Sequence, residues 1–238
     1  MIPYDFSLLI QPKDPAIGIP QNTEEWLEAR RGRITASLRA YKLLYSRDGT
    51  LGTMMDEMAQ ELQVPPDEWQ GNAATRHGHA FEDQAIGEYD MARLTFDSLN
   101  RTPGMFVHPE FDIASATPDF FEGEDTTGQI KCPYHLKNHL ELLHWGIAPK
   151  DARPGNPKYY SQVQFESFVT GRPRIIFISY HPDAPATNQL YVEEVASDTP
   201  MHEHFARRLD WVNHHLVNNT RPETKKIMPG VDGIPDLF

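Results

Sequence analysis

Cysteine is all but absent from these 238 residues: Cys132 stands alone. One thiol can form neither an internal disulfide nor a cysteine-rich zinc site, which points to a reducing compartment. Long apolar runs are also missing. None approaches the roughly 18 residues of a membrane-spanning helix. The opening MIPYDFSLLIQPKD has no basic leader and no small-residue cleavage site, so the chain reads as soluble and without a secretory signal. Positive charge is in deficit, with 22 Lys and Arg against 34 Asp and Glu and a formal net charge of −12. That excludes a protein that coats nucleic acid through a globally basic surface. It leaves room for a local basic channel in which a divalent cation adds positive charge.

The common catalytic signatures are missing as well. There is no Walker-type phosphate loop, no Gly-x-Gly-x-x-Gly, no Gly-x-Ser-x-Gly and no His-Glu-x-x-His, which removes the chemistries those patterns serve. Eleven histidines are many, but pairs such as His77/His79, His202/His204 and His214/His215 sit at spacings that point the rings apart on a helix. They read as surface residues.

What is present is a rhythm of helices around a run of strands. Residues 1–20 carry Pro3, Pro12, Pro15 and Pro20 and read as an extended arm. Asn22-Thr-Glu-Glu25 resembles a capping box that opens a first helix. Thr35-Ala-Ser37 begins a second helix, residues 51–63 form a third and residues 73–91 a fourth. Strands are expected at 104–108, 111–115, 129–132, 174–180 and 190–195, with helices at 134–145, 159–170 and 200–217. The tail from 221 to 238, rich in Pro and Gly, reads as loosely ordered. The whole, 1–238, is expected to be one α/β domain with a mixed sheet flanked by helices.

The stretch that carries chemistry runs from Thr117-Pro-Asp119 to Gln129-Ile-Lys131. An aspartate at one strand edge is followed, after a nine-residue hairpin-like connection, by a polar-x-Lys strand. The period of 2 puts Gln129 and Lys131 on one face and Ile130 on the other. Pairing the strands gathers Asp119, Gln129 and Lys131 at one site, where oxygens can hold Mg²⁺ and the lysine can orient water and offset developing charge. Singly, each residue has a plainer reading: Asp119 as a turn cap, Lys131 as a solvated surface lysine, Thr35 and Ser37 as helix caps.

In company they resemble the PD-(D/E)xK nuclease core. The segment Thr23-Glu-Glu-Trp-Leu-Glu-Ala-Arg-Arg-Gly-Arg-Ile-Thr-Ala-Ser37 is similar to the N-terminal signature of the lambda exonuclease / YqaJ-type viral recombinase family. Gly78-His-Ala-Phe-Glu82, Lys131-Cys-Pro133 and Tyr160-Ser-Gln162-Val-Gln164-Phe165 resemble that family's later elements, in order. The resemblance spans about residues 22–180 and implies a restriction-endonuclease-like fold. It implies metal ligation by Asp119, by the side chain at position 129 and by the Ile130 carbonyl. It gives Lys131 the positioning of water, Glu82 a second metal and its water, and Gln162 a supporting role. Arg30 would line a 5′-phosphate pocket with Thr35, Ser37 and Thr117, because a guanidinium offers paired donors to phosphate.

The implied activity is processive, Mg²⁺-dependent 5′→3′ digestion of one strand of linear double-stranded DNA. Two ions per site are implied, with Mn²⁺ as a possible substitute. The products would be mononucleotides and a 3′ single-stranded overhang. A homotrimeric ring, a single-strand annealing partner and a phage-encoded protein of the bacterial cytoplasm complete what the resemblance implies. A ring that encloses its substrate also reconciles DNA work with the acidic balance.

One residue departs from the pattern. Gln129 stands where the family has glutamate. A neutral amide should weaken cation binding, since even outer contacts at metal sites are worth roughly 10–100-fold. Little or no hydrolysis is therefore expected of this chain. Gln129 reads either as an introduced inactivating change, which the otherwise intact site favours, or as the residue of a natural pseudo-nuclease. The alternatives by class are a non-catalytic protein that binds DNA ends and a restriction-type endonuclease that cuts circular DNA.

Overall fold

A computed structural model describes residues 2–14, 17–64, 72–94, 99–150 and 153–222. Its helices are α1 (Glu24–Arg30), α2 (Ala40–Tyr45), α3 (Asp48–Gln63), α4 (Ala73–Arg93), α5 (Leu136–Trp145), α6 (Pro157–Thr170) and α7 (Thr199–Val217). Its strands are β1 (Ile34–Thr35), β2 (Leu99–Asn100), β3 (Phe106–Val107), β4 (Ala114–Ala116), β5 (Phe120–Glu122), β6 (Thr126–Lys131), β7 (Arg174–Tyr180) and β8 (Leu190–Ala196). The expected mixed α/β architecture is what forms: a central mixed sheet flanked by helices.

That sheet has the order β2-β5-β6-β7-β8. Only β6 and β7 run parallel, in register from Thr126↔Arg174 to Lys131↔Ser179, and the other neighbours are antiparallel. A parallel pair needs a long crossover, and α5 and α6 supply it. A second, small sheet has the order β1-β4-β3. One face of the main sheet buries Ile130, Ile176 and Ile178 against Ala85, Ile86 and Tyr89 of α4. The opposite face buries Ile175 and Phe177 against Leu142 of α5 and Val163 of α6. The largest apolar cluster joins α2, α3, α6 and α7 to the small sheet through residues such as Leu43, Met55, Phe165 and Leu209.

Several expectations shift. The N-cap of α1 is Thr23, whose Oγ1 accepts the Trp26 N–H at 3.1 Å, while Asn22 takes a left-handed φ of 64°. The second helix starts at Ala40, not at Thr35. The β-branched pair Ile34-Thr35 is drawn into β1 instead, parallel to β4 with Ile34↔Ala114 and Thr35↔Ser115. The connection after Asp119 is no open hairpin loop. Phe120-Phe121-Glu122 forms β5, antiparallel to β6, because both aromatics are buried there. The N-terminal arm has a single 3₁₀ turn at Phe6–Leu8. It packs onto the body through Tyr4 and Leu9, and the Tyr4 hydroxyl donates to the Gly32 carbonyl at 2.7 Å. Of the expected loose tail, residues 223–238 lie outside the described residues.

Gly128 shows how closely β5 and β6 approach. A Cβ on Gly128 would sit 2.1 Å from the Phe120 ring, its cross-strand partner. Gly128→Ala is expected to cost about 1–3 kcal/mol or more through overpacking. Urea unfolding should show a lower midpoint at unchanged m-value. Adding Phe120→Leu should recover part of the loss; no recovery would place the strain elsewhere.

Candidate active site

The site grows from the alternation along β6. Ile130 enters the α4 side of the sheet, so Gln129 and Lys131 turn toward α6. Asp119 lies one residue before β5, and its N–H donates to the Gly128 carbonyl at 3.0 Å. Asp119 Oδ2 accepts the Ile130 N–H at 2.7 Å and a hydrogen bond from the Gln129 amide. The same Gln129 Nε2 also donates to the Ile130 carbonyl at 3.3 Å. The amide N–H₂ therefore points at the two oxygens, Asp119 Oδ2 and Ile130 O, that sequence reasoning gives to a cation.

From α6, Gln162 Nε2 donates to Gln129 Oε1 at 2.7 Å and to Glu166 Oε1 at 2.9 Å. Gln164, the other candidate glutamine, does not join the site. It accepts the Asp198 N–H and donates to the Ala196 carbonyl. Lys131 is half-buried, with Nζ 5.9 Å from the centre of the Tyr159 ring. Glu82 projects from α4, half-exposed, with His79 Nδ1 at 3.6 Å, and its charge acts on Asp119.

Glu166 is the residue that sequence reasoning missed. Its exposure is 1%, and its Oε2 has no hydrogen-bond partner among the described residues. The available signal was its place four residues after Gln162, one helical turn along the same face. Burial pushes the Asp119 carboxyl up from 3.8 to about 6, against the pull of Lys131 and the Ile130 N–H. Burial raises Glu166 well above the usual carboxylate range, helped by the charge of Asp119.

Among the described residues, no three His, Cys, Asp or Glu side chains group so as to hold a metal ion. The donors gathered here are of another composition: two carboxylates, an amide and a backbone carbonyl, an all-oxygen set of the kind that hard divalent cations take. The unpartnered Glu166 Oε2 and the convergence on the Gln129 amide both fit a cation.

The expected phosphate ligands lie elsewhere, around α1. The Arg30 guanidinium rests 4.2 Å from the centre of the Trp26 ring, and Trp26 Nε1 donates to Thr117 Oγ1 at 3.1 Å. Arg30 and Thr117 are thus linked through one indole. Thr35 Oγ1 is buried without a partner among the described residues, and Ser37 is exposed in the turn after β1. The neighbouring arginines are structural. Arg31 donates to the carbonyls of Glu61 and Leu62. Arg33 is fully buried and donates to the carbonyls of Asp112 and Ala29. Arg39 pairs with Glu61 at 2.6 Å.

Residues 25–173 match the YqaJ-like viral recombinase domain. No curated protein matches the chain. Among solved structures, the alkaline exonuclease LHK-Exo of Laribacter hongkongensis superposes with a TM-score of 0.69 and 26% identity, over 83% of this chain and 94% of that one. Its complex with dAMP gives the same TM-score at 25% identity, with the same coverage of both chains. A phage-related exonuclease from Haemophilus somnus shares the fold, with a TM-score of 0.54 and 11% identity over 79% of this chain and 94% of that one.

The raised Asp119 carboxyl has a consequence for the metal-free protein. The folded chain keeps a proton that the unfolded chain releases between pH 3.8 and about 6, so stability falls as pH rises through that window. By pH 7.5 the contribution lost is on the order of 3 kcal/mol. Asp119→Asn in EDTA should therefore raise Tm at pH 7.5 by roughly 5–10 °C and leave it near wild type at about pH 3.5. Calorimetry at the two pH values checks this; a variant less stable at both would mean that hydrogen bonding of Asp119 outweighs the burial of its charge.

Proposed function

This chain belongs to the YqaJ-like viral recombinase domain family, and on that premise we propose that it is a Mg²⁺-dependent exonuclease. It digests one strand of linear double-stranded DNA processively, 5′→3′, and leaves 3′ single-stranded overhangs for phage homologous recombination. A nuclease role in recombination follows from the family and from the likeness to alkaline exonucleases. The observation that carries the finer reading is the convergence of Asp119, Gln129 and Ile130 O where β5 pairs with β6, with the charge of Lys131 acting on Asp119.

Asp119, the Gln129 side chain and the Ile130 carbonyl would hold the cation, two ions per site in the full reading, with Mn²⁺ as a possible substitute. Bound Mg²⁺ supplies Lewis acidity at the scissile phosphate and lowers the pKa of water. Lys131 orients the attacking water and offsets charge that develops on the phosphate. Glu82 would help hold a second metal and its water from the α4 side, and Gln162 holds the Gln129 amide in place. Arg30 receives the 5′-phosphate, with Thr117 beside it and Thr35 and Ser37 as further hydroxyls.

A homotrimeric ring around the DNA, a single-strand annealing partner and a phage-encoded origin in the bacterial cytoplasm belong to the same proposal. No described helix is long and apolar enough to cross a membrane. The expectation that Gln129 silences the chain counted only the carboxylates of the motif. Glu166, two hydrogen bonds away through Gln162, makes the active form the one we propose. The second reading, a non-catalytic protein that binds DNA ends, rests on the uncharged Gln129.

Digestion of a linear 5′-phosphorylated duplex with Mg²⁺, beside a covalently closed circle, tests the activity. Acid-soluble nucleotides from the linear form alone are the expected result. End binding without release would favour the second reading, and cutting of the circle would point to an endonuclease. Arg30→Ala should raise KM for 5′-phosphorylated ends about 10–100-fold, the worth of charge-assisted hydrogen bonds. It should also abolish the preference for 5′-phosphate over 5′-hydroxyl ends. An unchanged preference removes Arg30 from the phosphate pocket.

A further inference from the structure

We propose that Glu166 is the second anionic ligand of the cation site, so that the charge absent from β6 at Gln129 is supplied by α6. The inference rests on the nuclease reading for its purpose, and on the local geometry for its substance.

A carboxylate at 1% exposure is expensive unless it is paired or bound to a metal. Among the described residues the Glu166 side chain has one hydrogen bond, from Gln162 to Oε1, and none to Oε2. None of the ion pairs among the described residues includes it. Its helix neighbours Val163, Phe165 and Val169 are fully or nearly buried apolar residues, and an apolar residue or an amide would fill position 166 without that penalty. A buried acid left half-satisfied is a polar group in wait for a partner.

Its location names the partner. One nitrogen, Gln162 Nε2, holds Glu166 Oε1 and Gln129 Oε1 side by side, at 2.9 and 2.7 Å. Gln129 in turn bonds Asp119. The four side chains form one buried line, with a carboxylate at each end and two amides between. With a cation bound, Asp119 and Glu166 together would carry the two negative charges that an aspartate at 119 and a glutamate at 129 would carry. With glutamate at 129 and Glu166 retained, three carboxylates would crowd the same enclosed space and repel one another. Gln129 and Glu166 are therefore complementary: the neutral residue on the strand permits the charged one on the helix.

The experiment titrates Mn²⁺ alone, without DNA, into wild type, Glu166→Gln and the exchange variant Gln129→Glu/Glu166→Gln. Each form is also assayed for Tm in EDTA and for digestion of linear duplex in Mg²⁺. Glu166→Gln should weaken Mn²⁺ binding at least 10–100-fold, halt digestion and raise the metal-free Tm by roughly 2–4 °C. The exchange variant should regain both binding and digestion. Glu166→Gln that binds Mn²⁺ like wild type overturns the proposal, as does wild type that binds none. An exchange variant with native circular dichroism and no Mn²⁺ binding overturns it too. If binding follows the exchange but no form digests DNA, the ligand assignment stands and the nuclease reading falls.

Discussion

A strand shows alternate residues to opposite faces, and that constraint on β6 organises the molecule. β6 lies inside the sheet between β5 and β7, so both its edges are paired, and its faces meet α4 on one side and α6 on the other. Ile130 is claimed by the apolar cluster under α4, and Gln129 is thereby committed to the side of α6. A slip of one residue in the β6–β7 register would put Gln129 into the apolar cluster and Ile130 against Gln162. Gly128 has to lack a side chain because Phe120 lies across it, which fixes β5 against β6 and so fixes Asp119 beside the Ile130 N–H. Packing on one face thus sets the geometry of polar groups on the other.

Much of this was legible because it was periodic. The 3.6-residue repeat along α4, the Gly171 and Pro173 that close α6 and the alternation along β6 announce themselves in the residues. So does the gathering of Asp119, Gln129 and Lys131. The short pieces were not legible. Thr35 reads as the start of a helix until Ala114-Ser115 offers Ile34-Thr35 a parallel partner from a distant part of the chain, and no local pattern reports that. Phe120-Phe121 looks like a loop because it is bracketed by turn-forming residues, yet burial of both rings makes it a strand. Glu166 was hidden for a different reason. It belongs to a helix, and only the fold reveals that its turn faces β6.

The arginines near the N-terminus divide their labour in a way that composition conceals. Arg31, Arg33 and Arg39 are spent on carbonyls and on Glu61 within the structure, which ties α1, the turn after it and α3 into one frame. Arg30 instead lies over the Trp26 ring, within reach of the charge of Glu61. In a chain of net charge −12, a guanidinium held on an aromatic face is a scarce resource, and Trp26 ties it through Thr117 to the segment that leads from β4 into Asp119.

The lone thiol sets the chemical character of the site from outside it. Cys132 follows Lys131 and is buried on the α4 side, and burial pushes its pKa up to about 12. Its side chain packs with Ile130, Ile178 and Tyr180, on the face of the sheet opposite the one that Gln129 shows to Gln162. The residue next to Lys131 therefore gives its sulfur to the apolar cluster and not to the polar line of Asp119, Gln129, Gln162 and Glu166. The alternation that turns Gln129 toward α6 thus also turns the one sulfur of the chain away, and the oxygens of the site keep their own company.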